Sequence, residues 1–238
     1  MRISKRIVLL CVALFLALVN IYVAAAQQDR MPDNPAALTR VGDRVIKVND
    51  AIRMVLGFGN TFMVTTPDGN VIIDTSIAAH ARVHNRLLRA ESSAPIKYII
   101  LTHAHRDHTG GIPLWKEPGT QIIAQRNHAE FAHYQARLGG FFATRNAAQF
   151  GAGIARDVPP AGNYGAKIEP TTFFDEKYEF TLGGIKFEVY KTPGETADHL
   201  TVWIPRYRAA FSGDNYYESF PNIYTLPQEE SPGPFSLP

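Results

Sequence analysis

Hydrophobic residues recur along this chain with three spacings, and each predicts a different kind of segment. The first is continuous. Ile7–Val23 is an almost unbroken apolar run, preceded by the basic stretch Met1–Arg6 and followed by Ala24-Ala25-Ala26. Basic head, apolar middle and small-residue end are the layout of a secretory signal peptide, residues 1–26, with cleavage expected after Ala26. Residues 27–43 follow as an extended leader, in which Pro32 and Pro35 oppose helix.

The second spacing is the short run rich in β-branched and aromatic residues. Arg44–Val48, Ile52–Phe58 and Asn60–Thr65 predict strands, and the turn Pro67-Asp68-Gly69 leads into a fourth, Asn70–Asp74. The third is helical: Ile77, Ala81, His84 and Leu88 form one stripe of a helix capped by Ser76 and ending about Glu91. Ile96–Leu101 then reads as a buried strand. A short helix, a strand over Gln121–Gln125 and a helix from about Asn127 to Leu138 come next. Gly151–Pro170 is rich in Gly and Pro and predicts a long surface loop. Glu179–Leu182 and Ile185–Lys191 flank Gly183-Gly184 as a hairpin, and His199–Ile204 is another strand. A meander followed by strands alternating with helices argues for one mixed α/β (α+β) domain, residues 44–225. The tail 226–238 is Pro-rich with no periodic core face and is expected to be disordered or loosely laid on the surface.

Composition narrows the class. Of 238 residues, 45% are apolar and 19% charged, which excludes a disordered chain, a collagen-like repeat and a multi-pass membrane protein. The one cysteine, Cys11, lies in the predicted leader, so no disulfide framework or Cys-based zinc finger can form. A mature chain without cysteine suits an oxidising compartment. Cleavage also removes Arg2, Lys5 and Arg6, leaving 21 basic against 22 acidic residues. That balance gives no electrostatic case for nucleic acid or for an anionic membrane surface, and the expected partner is a small-molecule substrate.

The chemistry is concentrated after the strand Ile96–Leu101, in Thr102-His103-Ala104-His105-Arg106-Asp107-His108-Thr109-Gly110-Gly111. In an extended segment leaving a strand, His103 and His105 point to one side and can grip a cation. A turn lets Asp107 and His108 face a second, and Gly110 and Gly111 allow a sharp bend into the next helix. Imidazoles and a carboxylate without thiolates suit zinc best, with iron or manganese as alternatives.

This string, with Val71-Ile72-Ile73-Asp74-Thr75 upstream, resembles the metallo-β-lactamase fold superfamily of dinuclear metallohydrolases, from about Val45 to Thr225. The resemblance implies an αββα sandwich. Thr192-Pro193-Gly194-Glu195-Thr196 stands where that superfamily has a P-G-H-T loop, and Phe211-Ser212-Gly213-Asp214 resembles its strand ending in a metal-bridging Asp. By resemblance, His103, His105 and Glu195 surround a first zinc, Asp107 and His108 a second, and Asp214 spans them, with Asp107 also the candidate catalytic residue. Glu195 in place of histidine, 19 residues before the bridging acid, is similar to the alkylsulfatase branch, as are Gly213–Thr225 and, more weakly, Thr144–Gly151. The implied activity is hydrolysis of an ester-type bond, alkyl sulfates first, by a hydroxide held between two zinc ions in a periplasmic or secreted enzyme. A lactone, thioester or β-lactam is the alternative substrate class.

The superfamily also draws a histidine for the second metal from a later repeat, and no histidine follows His199. The C-terminal half is therefore expected to be incomplete, which leaves a truncated, non-enzymatic metal-binding remnant as a third reading. Exposed strand edges would also invite homo-oligomers. Other candidates are weaker. Arg145 can fork onto sulfate oxygens or sit as a solvated helix-end charge, and His199 is a candidate substrate contact at the cleft rim. Asp74 is expected to fix the metal loop through backbone hydrogen bonds. His80 and His84 read as an ordinary surface or boundary pair. Phe141, Phe142, Tyr216, Tyr217 and Phe220 read either as an apolar channel or as core.

Overall fold

The computed structural model describes residues 41–142 and 169–217. The predicted signal peptide, all but the last three residues of the leader, Arg145, most of the Gly- and Pro-rich stretch, Phe220 and the Pro-rich tail lie outside the described residues. Within them, β1 (Ile46–Lys47), β2 (Ile52–Val55), β3 (Thr61–Thr66) and β4 (Gly69–Ile73) form an antiparallel meander. β4 then pairs in parallel with β5 (Ile96–Ile100), β5 with β6 (Gln121–Gln125), and β6 with β7 (Thr172–Phe174). Parallel neighbours need crossovers. These are α1 (Ala78–Glu91) between β4 and β5, and α2 (Arg106–Thr109) with α3 (Ile112–Trp115) between β5 and β6. After β6 the chain enters α4 (His128–Arg137). A second, antiparallel sheet has the order β11-β10-β9-β8, from β8 (Lys177–Leu182), β9 (Ile185–Lys191), β10 (Leu200–Ile204) and β11 (Ala209–Phe211).

Strand periodicity divides the core in two. Along β4, β5 and β6 the central residues are apolar, and successive side chains leave opposite faces of the sheet. Val71, Ile73, Ile100 and Ile123 face the second sheet and pack with Phe187, Val189, Val202 and Phe211. Ile72, Ile99 and Ile122 face the other way and pack with Leu88 of α1 and Trp115 of α3. The described residues thus supply helix, sheet and sheet layers of the expected sandwich. No described helix is long and apolar enough to cross a membrane.

Four local expectations are corrected. β2 stops at Val55 rather than Phe58 because the chain turns through Gly59 at φ 73°, where a Cβ would lie 1.7 Å from the Asp107 carbonyl oxygen. Only glycine allows that backbone to press against the metal loop. Ser76 does not cap α1. It has φ 63° and its hydroxyl donates to the Phe58 carbonyl, while Ile77 is the N-cap, with no side-chain cap bond. Gly111 serves close packing rather than an unusual dihedral, since a Cβ there would meet the Thr75 carbonyl oxygen at 2.1 Å. Finally, His80 and His84 are buried rather than on the surface. His84 joins Thr61 Oγ1 at 3.0 Å and the Leu56 carbonyl at 3.1 Å, and His80 Nδ1 accepts the Phe58 N–H. The pair therefore anchors the 56–58 turn that leans on the metal loop.

Candidate metal centre

In open α/β sheets, sites form beyond the carboxyl ends of the parallel strands. Here β4 delivers Asp74 and Thr75 to that edge, β5 delivers Thr102 to His108, and β6 leads to His128 at the start of α4. The second sheet adds the loop 192–199 between β9 and β10, and the turn Gly213–Asn215 after β11. Residues more than a hundred positions apart converge as a result.

His103 Nε2 lies 2.9 Å from His105 Nδ1 and 3.2 Å from Glu195 Oε2, and the last two are 3.4 Å apart. Four donors placed tetrahedrally at about 2.0–2.1 Å from zinc are about 3.3 Å from one another. The triad therefore has the size of a zinc-binding face. A second group stands beside it: His108 Nε2 is 3.1 Å from Asp214 Oδ1 and 3.5 Å from Asp107 Oδ2. His103, His108 and Asp214 also offer atoms within 4.8 Å of one another, so Asp214 sits between the two groups. Glu195 Oε2 and His108 Nε2 are buried with no hydrogen-bond partner among the described residues. Buried polar atoms are normally paired; atoms left open in this way fit a cation.

One carboxylate orders both groups. Asp74, with φ 55° at the end of β4, turns its side chain under the metal loop. Its Oδ1 accepts the Thr102 N–H at 2.8 Å, as expected for a loop-fixing residue. Its Oδ2 accepts the Thr102 hydroxyl at 2.8 Å and lies 2.8 Å from His108 Nδ1. Since Asp74 only accepts, the neutral His108 ring must carry its proton on Nδ1, leaving Nε2 as the lone pair a cation would take in place of a second proton. The Thr102 hydroxyl, having spent its proton on Asp74, can only accept from His103 Nδ1 at 3.1 Å. His103 Nε2 is thereby left as a lone pair too. Thr75 Oγ1 completes the brace, donating to the His108 carbonyl at 2.9 Å and accepting the Gly111 N–H.

Electrostatics agree with a cation site. Burial pushes His103 well below the ordinary imidazole range, and the neighbouring His108 and His199 rings add to it. For His108 burial acts the same way, but Asp214, Asp74 and Asp107 outweigh it and raise the ring well above that range. For His105 too burial is outweighed, by Glu195, and its value is raised. Burial lifts Glu195, whereas at Asp214 it is overcome by His108, which holds that carboxyl far down. Four carboxyl groups facing three imidazoles form an electron-rich pocket that a divalent cation would neutralise.

The six residues named from the sequence, His103, His105, Asp107, His108, Glu195 and Asp214, are brought together. His199 is not at the rim. It is fully buried, Nε2 is 3.0 Å from the Ser212 carbonyl, and its ring stacks on His103 at 4.3 Å, so it backs the site instead of facing substrate. Burial lowers it to about 4. Among the aromatics, Phe142 is buried while Phe141, Tyr216 and Tyr217 are exposed. Phe131 edges against His105 at 5.4 Å.

Several supporting roles escaped the sequence reading. Asn215 accepts the Glu195 N–H at 2.9 Å and donates to the Thr192 carbonyl at 2.7 Å, which fixes the loop carrying Glu195. The Tyr217 hydroxyl donates to Asp214 Oδ2 at 3.0 Å. They lie one and three positions after Asp214, so nearness to a candidate ligand was the available signal. Thr102 stood in view beside His103, but its relay needs Asp74 from another strand.

Comparison with known proteins agrees with this geometry. The chain is 28% identical over 183 residues to a linear primary-alkylsulfatase of a Pseudomonas species, covering 69% of this chain and 35% of that one. It is 25% identical over 190 residues to the beta-lactamase-like protein 2 homolog of Caenorhabditis elegans, covering 75% and 54%. It thus spans about a third to a half of the length of these relatives. In fold it is similar to a double mutant of the sec-alkyl sulfatase PisA1, with a TM-score of 0.62 at 20% identity, covering 73% of this chain and 31% of that chain. Residues 54–221, which run from within β2 through the second sheet and hold all six clustered residues, match the family model, and the chain belongs to the metallo-beta-lactamase superfamily.

Proposed function

We propose that this chain is a zinc-dependent hydrolase of ester-type bonds, with alkyl sulfates the first substrate class, exported to the periplasm or beyond by residues 1–26. The observation that carries the reading is the convergence of three imidazoles with Asp107, Glu195 and Asp214 into two cation-sized groups within 3.5 Å contacts. His103, His105 and Glu195 would hold one ion, and His108, Asp107 and Asp214 the other. Bound zinc supplies Lewis acidity and water acidic enough to ionise near neutral pH.

The protein's own part is orientation. Asp74 keeps the His103 and His108 lone pairs turned inward. Tyr217 occupies one oxygen of Asp214 and leaves Oδ1 toward His108. Asp107 Oδ2 is an acceptor at the edge of the second group, suited to take a proton from water as it attacks. A carboxylate in place of a third imidazole makes the first group one charge more negative, which favours tight cation binding and moderates Lewis acidity. The likeness to two alkylsulfatases supports sulfate esters; the lactamase-like names among other relatives favour a lactam or lactone as the second reading.

Purified protein is expected to retain about two zinc ions and to cleave a medium-chain alkyl sulfate, with activity lost in His105→Ala. Turnover of the unaltered protein no greater than that of the variant would refute the reading. Cleavage of chromogenic lactams or lactones alone would select the second one.

A further inference from the structure

Outside the ligand cluster, one buried pair of titratable groups has no role in the chemistry described so far. Asp198 is fully buried, and neither of its carboxylate oxygens has an aligned hydrogen bond among the described residues. His128 Nδ1 lies 3.2 Å from Asp198 Oδ2, itself buried and without an aligned hydrogen bond. Burial pushes the Asp198 carboxyl up, but His128 and Thr196 outweigh it and bring it below its ordinary range. A carboxylate sealed from water is strongly unfavourable unless something holds it in place.

The location suggests what the pair does. Asp198 closes the loop 192–199, which carries Glu195. His128 opens α4, whose next turn sets Phe131 against His105. Asn127, just before the helix, donates to the Ala197 carbonyl at 3.4 Å. One short helix therefore touches both the loop bearing Glu195 and the ring of His105. On its other side the same loop is tied by Asn215. The second group is braced separately, by Asp74 and Tyr217.

We infer that His128 and Asp198 form a buried positioning pair that sets Glu195 against His103 and His105, and so governs the first cation site without touching the cation. The inference rests on the two-cation reading above. Neither residue is a ligand; both act through the loop.

Zinc titration of the full chain against a competing chelator tests it. The variant Glu195→Gln identifies which binding step belongs to the first site. His128→Gln and Asp198→Asn are each expected to weaken that step about 10- to 100-fold, the range typical of residues that orient metal ligands, while the other step moves less than about twofold. The double variant His128→Ala/Asp198→Ala is expected to lose less than the two single alanine losses combined, because no lone charge is left buried. Hydrogen–deuterium exchange of metal-free His128→Gln should quicken in residues 192–199 and not in β4–β6; this readout stands even if Asp198→Asn fails to fold. Two unaltered binding steps, or equal weakening of both together with a fall in melting temperature, would overturn the inference. If the unaltered chain binds no zinc, the two-cation reading falls and takes this inference with it; zinc binding indifferent to the pair overturns the inference alone.

Discussion

Asp74→Asn should weaken both cation sites, although Asp74 contacts neither cation in the proposed arrangement. The change is nearly isosteric and keeps one acceptor, which can still take the Thr102 N–H as Oδ1 does at 2.8 Å. The new amide NH2 then replaces Oδ2, which now faces the Thr102 hydroxyl and His108 Nδ1, each at 2.8 Å. Two donors cannot share a hydrogen bond. His108 must therefore become an acceptor at Nδ1 and carry its proton on Nε2, the atom 3.1 Å from Asp214 Oδ1. The Thr102 hydroxyl must accept from the amide and turn its own proton toward His103 Nδ1, which moves the His103 proton to Nε2. Both inward lone pairs are lost together. Ligand-orienting partners of this kind are worth about 10- to 100-fold in affinity, or about 1.4–2.8 kcal/mol per site. Replacing a charged acceptor also destabilises the metal-free fold by about 1–3 kcal/mol. Thr102→Val separates the two relays: it should weaken only the first site. Zinc titration with a chromogenic chelator gives the affinities, and nitrogen shifts of labelled histidines report the tautomers. Weakening of the His108 site alone in Asp74→Asn would refute the threonine relay. Unchanged affinity at both sites would refute the tautomer argument altogether.

Three other outcomes follow from the same geometry. Tyr217→Phe frees Asp214 Oδ2 and should weaken the second cation step by about 3- to 10-fold, the worth of one hydrogen bond, and the first step by less in the same titration. Chelation should lower the melting temperature, and added zinc should restore it in proportion to the logarithm of its free concentration, because the cation binds only the folded chain. Acid should weaken the fold through His84, whose folded value is about 4 against an ordinary 6.5. The unfolded chain gains this proton first as pH falls, so stability declines between about pH 6.5 and 4 and levels off below. His84→Gln should show a shallower decline in denaturant midpoint over that window, and an identical slope would count against the assignment.

Much of the fold is legible in short-range patterns. Short strands with apolar centres such as Ile96–Ile100 and Gln121–Gln125, separated by helical stretches, point to a sheet with both faces covered. The turn at Gly183-Gly184 and its flanking runs state the hairpin β8–β9. Boundaries were less legible where tertiary contact overrode local preference. Ser76 has the chemistry of a cap, yet it is drawn to the Phe58 carbonyl, and the run Ile52–Phe58 is cut short where Gly59 meets Asp107.

The candidate site divides in the same way. His103, His105, Asp107 and His108 lie within six residues on one strand exit, so strand and turn geometry alone predicts that they face common cations. Sequence determined which donors exist and that they are imidazoles and carboxylates. It could not decide which nitrogen of each ring points inward, because that depends on Asp74, which reaches His108 across 34 positions. Nor could it tell that His199 backs His103 or that Asp198 is sealed beside His128, since burial depends on how helix and sheets close over a residue. Local spacing sets what a segment offers; only packing of distant segments sets what each side chain faces, and the tautomers and charges follow from that.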